Sequence, residues 1–373
     1  MKILHLANHC HRIGNGIMNV AVDLACEQSR LGHEVVFASA GGSFVELMQG
    51  YGVRHVEIAQ YWREPLAALR GAWRLRRLLD AFKPDIVHAH MKGGALLASL
   101  FNRPRRFGLV TSLHNEWQRA AKLMGVADRV IAVSEASCAA MRARGLTEAQ
   151  LRTVRNGPIG SPRALSDAAP TAQLKRPALL TVCGLYRRKG VLELIEAFAA
   201  MAGEHESAHL YIAGDGPDRA VFEQAAGATG LASRIAFLGY VENPAPLFAQ
   251  ADVFVLASHS EPFGLVLAEA RAAGCAIIGA DTGGVPEVLE HGAAGVLVPP
   301  KDPAALAEAM RRLLGDDEAR RSYQRRAAEN LDWLGCARMT AETLSVYREL
   351  IDDLASGAAA LSRAKPWLLP RVR

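Results

Sequence analysis

The run Val253-Phe254-Val255-Leu256 is broken by Pro262 and Gly264, after which apolar positions recur at helical spacing at Leu265, Leu267, Ala268 and Ala272. A short, continuous apolar run suits a strand buried on both faces, and a helix directly after it is the crossover that parallel strands need. The stretch therefore points to a parallel α/β chain with a loop exposed at the strand's end. The first free amides of the helix face that loop, and such an end attracts anions. Glu261 lies on the loop, and Glu269 falls about a turn and a half into the helix. A ligand can be held at both ends.

Glu261 and Glu269 inside EPFGLVLAE resemble the E-x7-E signature of retaining family 4 glycosyltransferases of the GT-B architecture. Asp281-Thr282-Gly283-Gly284-Val285-Pro286-Glu287 and Gly295-Val296-Leu297-Val298-Pro299-Pro300 follow in that family's order and spacing. The resemblance implies an α/β fold of two Rossmann-like, doubly wound domains facing a cleft, with a C-terminal helix crossing back to the first domain. It implies that Glu269 holds the ribose hydroxyls of a UDP-, GDP- or ADP-sugar and that Glu261 approaches the sugar. The amides around Gly264, Leu265 and Val266 would hold the diphosphate, and Phe263 is a further substrate contact.

The length of 373 residues suits two domains of about 100 to 200 residues each. Residues 160–177 are rich in Pro, Ser and Ala and read as a linker. The expected division is an acceptor-side domain over 1–165, a nucleotide-sugar domain over 176–345, and a helix and tail over 346–373 returning to the first domain.

Each apolar run along the chain ends in a polar or glycine exit. Ile3–Ala7 precedes Gly14 and Gly16, and Gly16 is the expected phosphate-side contact, although the family often has an adjacent glycine pair there. The strand before His88-Ala89-His90 ends where open α/β sheets place ligands, so His90 is a substrate contact and His88 a scaffold residue. The strand ending at His114 resembles the family strand whose terminal histidine sits beside the donor sugar. In the second half, Ala178–Cys183 leads to Gly184, Arg188 and Lys189; Leu185 stands where the family's first arginine often is, so the charge on the diphosphate comes from Arg188 and Lys189. Gly214, Tyr240 and Val241 follow two further strands and flank the nucleotide base by the same resemblance. The catalytic set implied is His114, Glu261, Arg188 and Lys189.

Other classes find little support. The six cysteines are scattered with no C-x-x-C, as in reduced thiols of a cytosolic protein, and no H-E-x-x-H or D-x-D occurs, so neither metal nor cofactor is expected. No G-x-G-x-x-G follows a strand, which argues against a nicotinamide dehydrogenase. No run of about 18 apolar residues suggests a spanning helix, and MKILHLANHC lacks a signal peptide's apolar core. Residues 1–165 carry 22 Lys and Arg against 12 Asp and Glu, whereas the remainder carries 21 against 26. Within the basic half, Trp62, Leu66, Leu69, Trp73, Leu75, Leu78, Leu79 and Phe82 interleave with Arg63, Arg70, Arg74, Arg76 and Arg77. This is a basic amphipathic helix, suited either to a solvated domain face or to an anionic membrane surface; no motif for nucleic acid accompanies it. The expected acceptor is a cell-envelope glycan or lipid-linked glycan met on the cytoplasmic face. A soluble acceptor, a nucleotide-sugar epimerase and a non-catalytic nucleotide-sugar-binding protein are the alternatives.

Overall fold

The computed structural model describes residues 1–14, 16–59, 65–103, 105–114, 119–164 and 172–357. Trp62 and Arg63 of the basic stretch, the middle of the linker and the Leu361–Arg373 tail lie outside these residues. The described chain divides into two compact units. One holds Met1–Arg12, Ile17–Arg155 and the chain from Met339 onward; the other holds Ile13–Gly16 and Asn156–Arg338.

The first unit is built on seven parallel strands: β1 (Lys2–Leu6), β2 (Glu34–Ser39), β3 (Arg54–Glu57), β4 (Ile86–Ala89), β5 (Gly108–Leu113), β6 (Arg129–Ala132) and β7 (Leu151–Thr153). Their order is β3-β2-β1-β4-β5-β6-β7. Every residue of β4, β5 and β6 is buried, as expected where helices cover both faces of a parallel sheet. Leu4, Val36, Val87, Leu109 and Val130 from adjacent strands share one core with Leu75, Leu78, Leu79 and Phe82 of the helix Pro65–Phe82.

The second unit repeats the plan with β8 (Ala178–Val182), β9 (His209–Ala213), β10 (Ile235–Gly239), β11 (Val253–Leu256), β12 (Ala276–Ala280) and β13 (Val296–Val298), in the order β10-β9-β8-β11-β12-β13. In each sheet the winding reverses beside the first strand, at β1/β4 and at β8/β11. Beyond the carboxyl ends of such a pair the flanking loops diverge, and ligands bind there in open α/β sheets.

The helix Cys336–Ala355 returns to the first unit, as expected. Tyr347 is fully buried there, Arg129 and Arg152 pair with Glu349, and Arg129 also pairs with Asp353. Gly108 leaves room for it, since a Cβ at that position would stand 2.8 Å from Leu350 Cδ2. In the second unit Arg271 is completely buried. Its guanidinium donates to the carbonyls of Ala327, Val288 and Glu329 and to Glu290 Oε1, at 2.7 to 2.9 Å. One side chain thereby satisfies carbonyls left over at the ends of the helices Asp317–Ala327 and Val285–Val288.

Candidate active site

After β8 the chain runs through Cys183-Gly184-Leu185-Tyr186 into a single turn, Arg187–Lys189, closed by Gly190 at φ 69° ahead of the helix Val191–Met201. A Cβ on Gly190 would stand 1.9 Å from the Ala257 carbonyl oxygen, so this loop lies against the end of β11 only because the residue is glycine. The approach brings Lys189 Nζ to Glu261 Oε2 as an ion pair with 15% and 12% of the two side chains exposed. Ser258 Oγ donates to the same carboxylate oxygen at 3.3 Å. The His259 amide donates to the Arg188 carbonyl at 2.8 Å, and His259 Nε2 meets Glu193 Oε1 at 2.8 Å. The Arg188 guanidinium lies 5.4 Å from the centre of the Tyr186 ring.

The loop after β11 is fixed from the next strand. The Glu261 carbonyl accepts from the Gly284 amide at 2.9 Å, and Gly283, at φ 55°, would place a Cβ 2.1 Å from that oxygen. The glycine pair after β12 thus clamps the main chain of Glu261. Phe263 is buried edge-on to Trp333, with ring centres 6.4 Å apart, so its ring anchors the loop and its main chain is what remains for a ligand. Gly264, at φ 91°, opens the helix Leu265–Ala272, where Leu265, Val266 and Glu269 are half-buried.

Gly214 follows β9 at φ 141° and donates to the Gly239 carbonyl at 2.7 Å; a Cβ there would stand 1.8 Å from the Cys183 carbonyl oxygen. Tyr240, which is 44% exposed, and half-buried Val241 follow β10. A Cβ on Gly184 would lie 3.0 Å from the Tyr186 ring, and one on Gly16 would lie 3.1 Å from Leu265 Cδ1. Gly184, Arg188, Lys189, Gly214, Tyr240, Val241, Glu261 and Gly264 therefore all occur just beyond the carboxyl ends of β8 to β11. Chemically, this edge offers a lysine ammonium, a carboxylate and the amino end of a helix, a combination that suits an anion bonded to a hydroxylated group.

His90 and His114 belong to the first unit, where a second polar cluster sits in the apolar interior. His5 on β1 pairs in register with His88 on β4. His5 Nδ1 lies 2.9 Å from His90 Nε2, and His5 Nε2 lies 2.8 Å from Gln28 Oε1. His88 meets Tyr347 Oη at 2.5 Å through Nδ1 and Ser112 Oγ at 2.8 Å through Nε2. The His90 and His114 rings stack with centres 6.1 Å apart. Burial holds His5 and His114 at about 4 and pushes His88 and His90 well below their ordinary 6.5, with neighbouring imidazoles adding to the effect on the last two. All four are neutral near pH 7.

His5, His88 and His90 bring ring nitrogens within 4.8 Å of one another, the spacing of a metal-ligand group. A metal needs their lone pairs, yet both nitrogens of His5 and His88 and Nε2 of His90 are already in hydrogen bonds. The donor set fits a hydrogen-bond network better than a cation. His88 has the scaffold role expected of it. His5, Gln28, Ser112 and Tyr347 were not singled out from the sequence; aligning the first strand with the one ending at His88 would have found His5, but nothing local marks Tyr347.

Two family descriptions match this chain: Glycosyltransferase Family 4 over residues 14–158 and Glycosyl transferases group 1 over residues 163–330. N-acetyl-alpha-D-glucosaminyl L-malate synthase of Bacillus anthracis is 33% identical over 180 residues, which is 48% of this chain and 47% of that protein. The chain thus spans about half the length of this relative. The lipopolysaccharide core biosynthesis glycosyltransferase LpsD of Rhizobium meliloti is 28% identical over 263 residues, 69% of this chain and 73% of that protein. Among solved structures, HepE of Anabaena in complex with UDP has a TM-score of 0.76 at 23% identity, covering 93% of this chain and 100% of that one. That likeness is one of fold.

Proposed function

Because the chain belongs to the group 1, family 4 glycosyltransferases, we propose that it moves a sugar from a nucleoside-diphosphate sugar to a hydroxyl of a cell-envelope glycan or glycolipid, with retention of configuration and without a metal. The observation that carries this reading is the Lys189–Glu261 pair beyond β8 and β11, directly ahead of the amino end of the helix Leu265–Ala272. As the glycosidic bond breaks, negative charge grows on the leaving diphosphate. Arg188, Lys189 and the amides around Gly264–Val266 stabilise it, and because they are preorganised they add no reorganisation cost at that moment. Glu261 and His114 position the sugar, and Glu269 takes the ribose hydroxyls. The departing phosphate helps to deprotonate the acceptor on the same face.

Thermal-shift screening of UDP-, GDP- and ADP-sugars, followed by product analysis with and without a glycan acceptor and with EDTA, tests the reading. Acceptor-dependent product with the donor's anomeric configuration, formed equally in EDTA, is the expected result. A new nucleotide sugar formed without acceptor indicates an epimerase; binding without turnover indicates a sensor; an inverted product removes the retaining mechanism.

The helix Pro65–Phe82 favours a lipid-linked acceptor. Leu66, Leu69 and Trp73 are 73%, 68% and 60% exposed, with Arg70, Arg74, Arg76 and Arg77 exposed among them. Among the described residues no helix is long and apolar enough to cross a membrane. Peripheral attachment at an anionic cytoplasmic face fits these facts, with each engaged arginine contributing about 1 kcal/mol. Sedimentation with anionic and with neutral vesicles, at low and raised salt and with Arg70, Arg74 and Arg77 changed to Glu, tests it. Wild-type protein that ignores anionic vesicles at low salt would exclude the membrane and leave the transferase reading intact.

A further inference from the structure

The hydrogen bonds around His5 determine which nitrogen of His90 carries its proton. Gln28 Oε1 can only accept, so His5 Nε2 holds a proton and donates to it at 2.8 Å. A neutral His5 then has a lone pair on Nδ1, and His90 Nε2 must be the donor across the 2.9 Å contact. The other branch keeps the same order. Gln28 Nε2 donates to Tyr347 Oη at 3.4 Å, Tyr347 donates to His88 Nδ1 at 2.5 Å, and His88 Nε2 donates to Ser112 Oγ at 2.8 Å. Both nitrogens of His5 and of His88 thus have a role, and one ring nitrogen of His90 is left over: Nδ1, buried and without a partner among the described residues. His114 Nε2, on the ring stacked against His90, is also buried and without a partner among the described residues. Buried polar atoms of this kind are uncommon and call for a partner or a catalytic role.

We infer that His5, oriented by Gln28, is a positioning residue that holds His90 as the Nε2–H tautomer, so that His90 Nδ1 accepts a hydrogen bond from a sugar hydroxyl of the substrate. This rests on the transferase reading above and adds a selection rule to it. A hydroxyl can donate to the bare Nδ1. A phosphate or carboxylate offers Nδ1 only further lone pairs and is rejected.

The test is long-range 1H–15N NMR of the full-length protein labelled at histidine nitrogens, with His90 assigned by the signals lost in His90→Gln. The expected wild-type result is a protonated Nε2 and a bare Nδ1 on His90; the reverse order overturns the inference. Gln28→Glu places a carboxylate beside His5 and favours its imidazolium, both of whose nitrogens donate. His90 Nε2 must then accept, and its proton moves to Nδ1. In that variant kcat/KM for the nucleotide sugar that wild type turns over should fall about tenfold or more. A flipped His90 with unchanged kcat/KM overturns the inference, as does a His90 that does not flip. If the variant does not fold, the wild-type spectrum recorded with and without the nucleotide sugar decides: the His90 Nδ1 signal must move on binding, and an unmoved signal overturns the inference. Wild-type protein inert towards every nucleotide sugar defeats the transferase reading instead and leaves the tautomer result standing.

Discussion

Tyr347 Oη lies 2.5 Å from His88 Nδ1, joining the C-terminal helix to β4 across 259 residues of sequence. Both groups are fully buried, so removing either strands the other in an apolar setting. Tyr347→Phe should cost about 1 to 3 kcal/mol of stability, read from denaturant unfolding of the variant beside wild type. An unchanged midpoint would mean that water replaces the hydroxyl.

Acid should weaken the protein before its carboxylates titrate. The unfolded chain takes up protons at histidine below about pH 6.5, while folded His5 and His114 wait until about 4 and burial holds His88 and His90 well below 6.5. Their contribution is therefore complete above 6.5 and is lost as the pH falls towards 4. Each histidine adds about 1.4 kcal/mol per pH unit within that window. Urea midpoints measured from pH 7 to pH 5 should fall steadily, and a level profile over that range would contradict neutral burial of the four rings.

Lys189→Ala should lower turnover about 10²-fold or more, since it removes one preorganised charge from the leaving diphosphate. It also leaves Glu261 without its cation. A cycle with Glu261→Gln should therefore be non-additive, the double variant losing less than the two single losses combined. Strict additivity in kcat/KM would show that the ion pair has no part in the reaction.

Arg271→Leu should be among the more damaging single changes in the second unit. The guanidinium serves three carbonyls and Glu290 from a fully buried position. Losing one partner of a buried pair costs about 3 to 5 kcal/mol. Arg271→Lys, with one compact ammonium in place of a planar fork, should recover only part of it. Thermal unfolding of both variants provides the check.

What could be read in advance follows how local each signal is. The strand and helix around Glu261 and Glu269 were legible because apolar run, breakers and helical period all fall within one stretch; the pattern places the helix start near Phe263 or Gly264, and it begins at Leu265. Tyr347 was not legible, because nothing near it in sequence marks a partner on another strand. Lys189 and Glu261 lie between these cases. Each was legible as a loop residue with a charge, but their pairing depends on β8 lying beside β11, which strand order decides and composition does not.

The return of the chain from Met339 to the first unit sets an order of events during synthesis. A ribosome that has released residues up to Arg155 has delivered all seven strands of the first sheet, but not Tyr347 for His88, nor Glu349 for Arg129 and Arg152. Those contacts are missing while the whole second unit is made, and that unit holds its own sheet between its own ends. The unit whose sequence begins first is therefore the last to be completed.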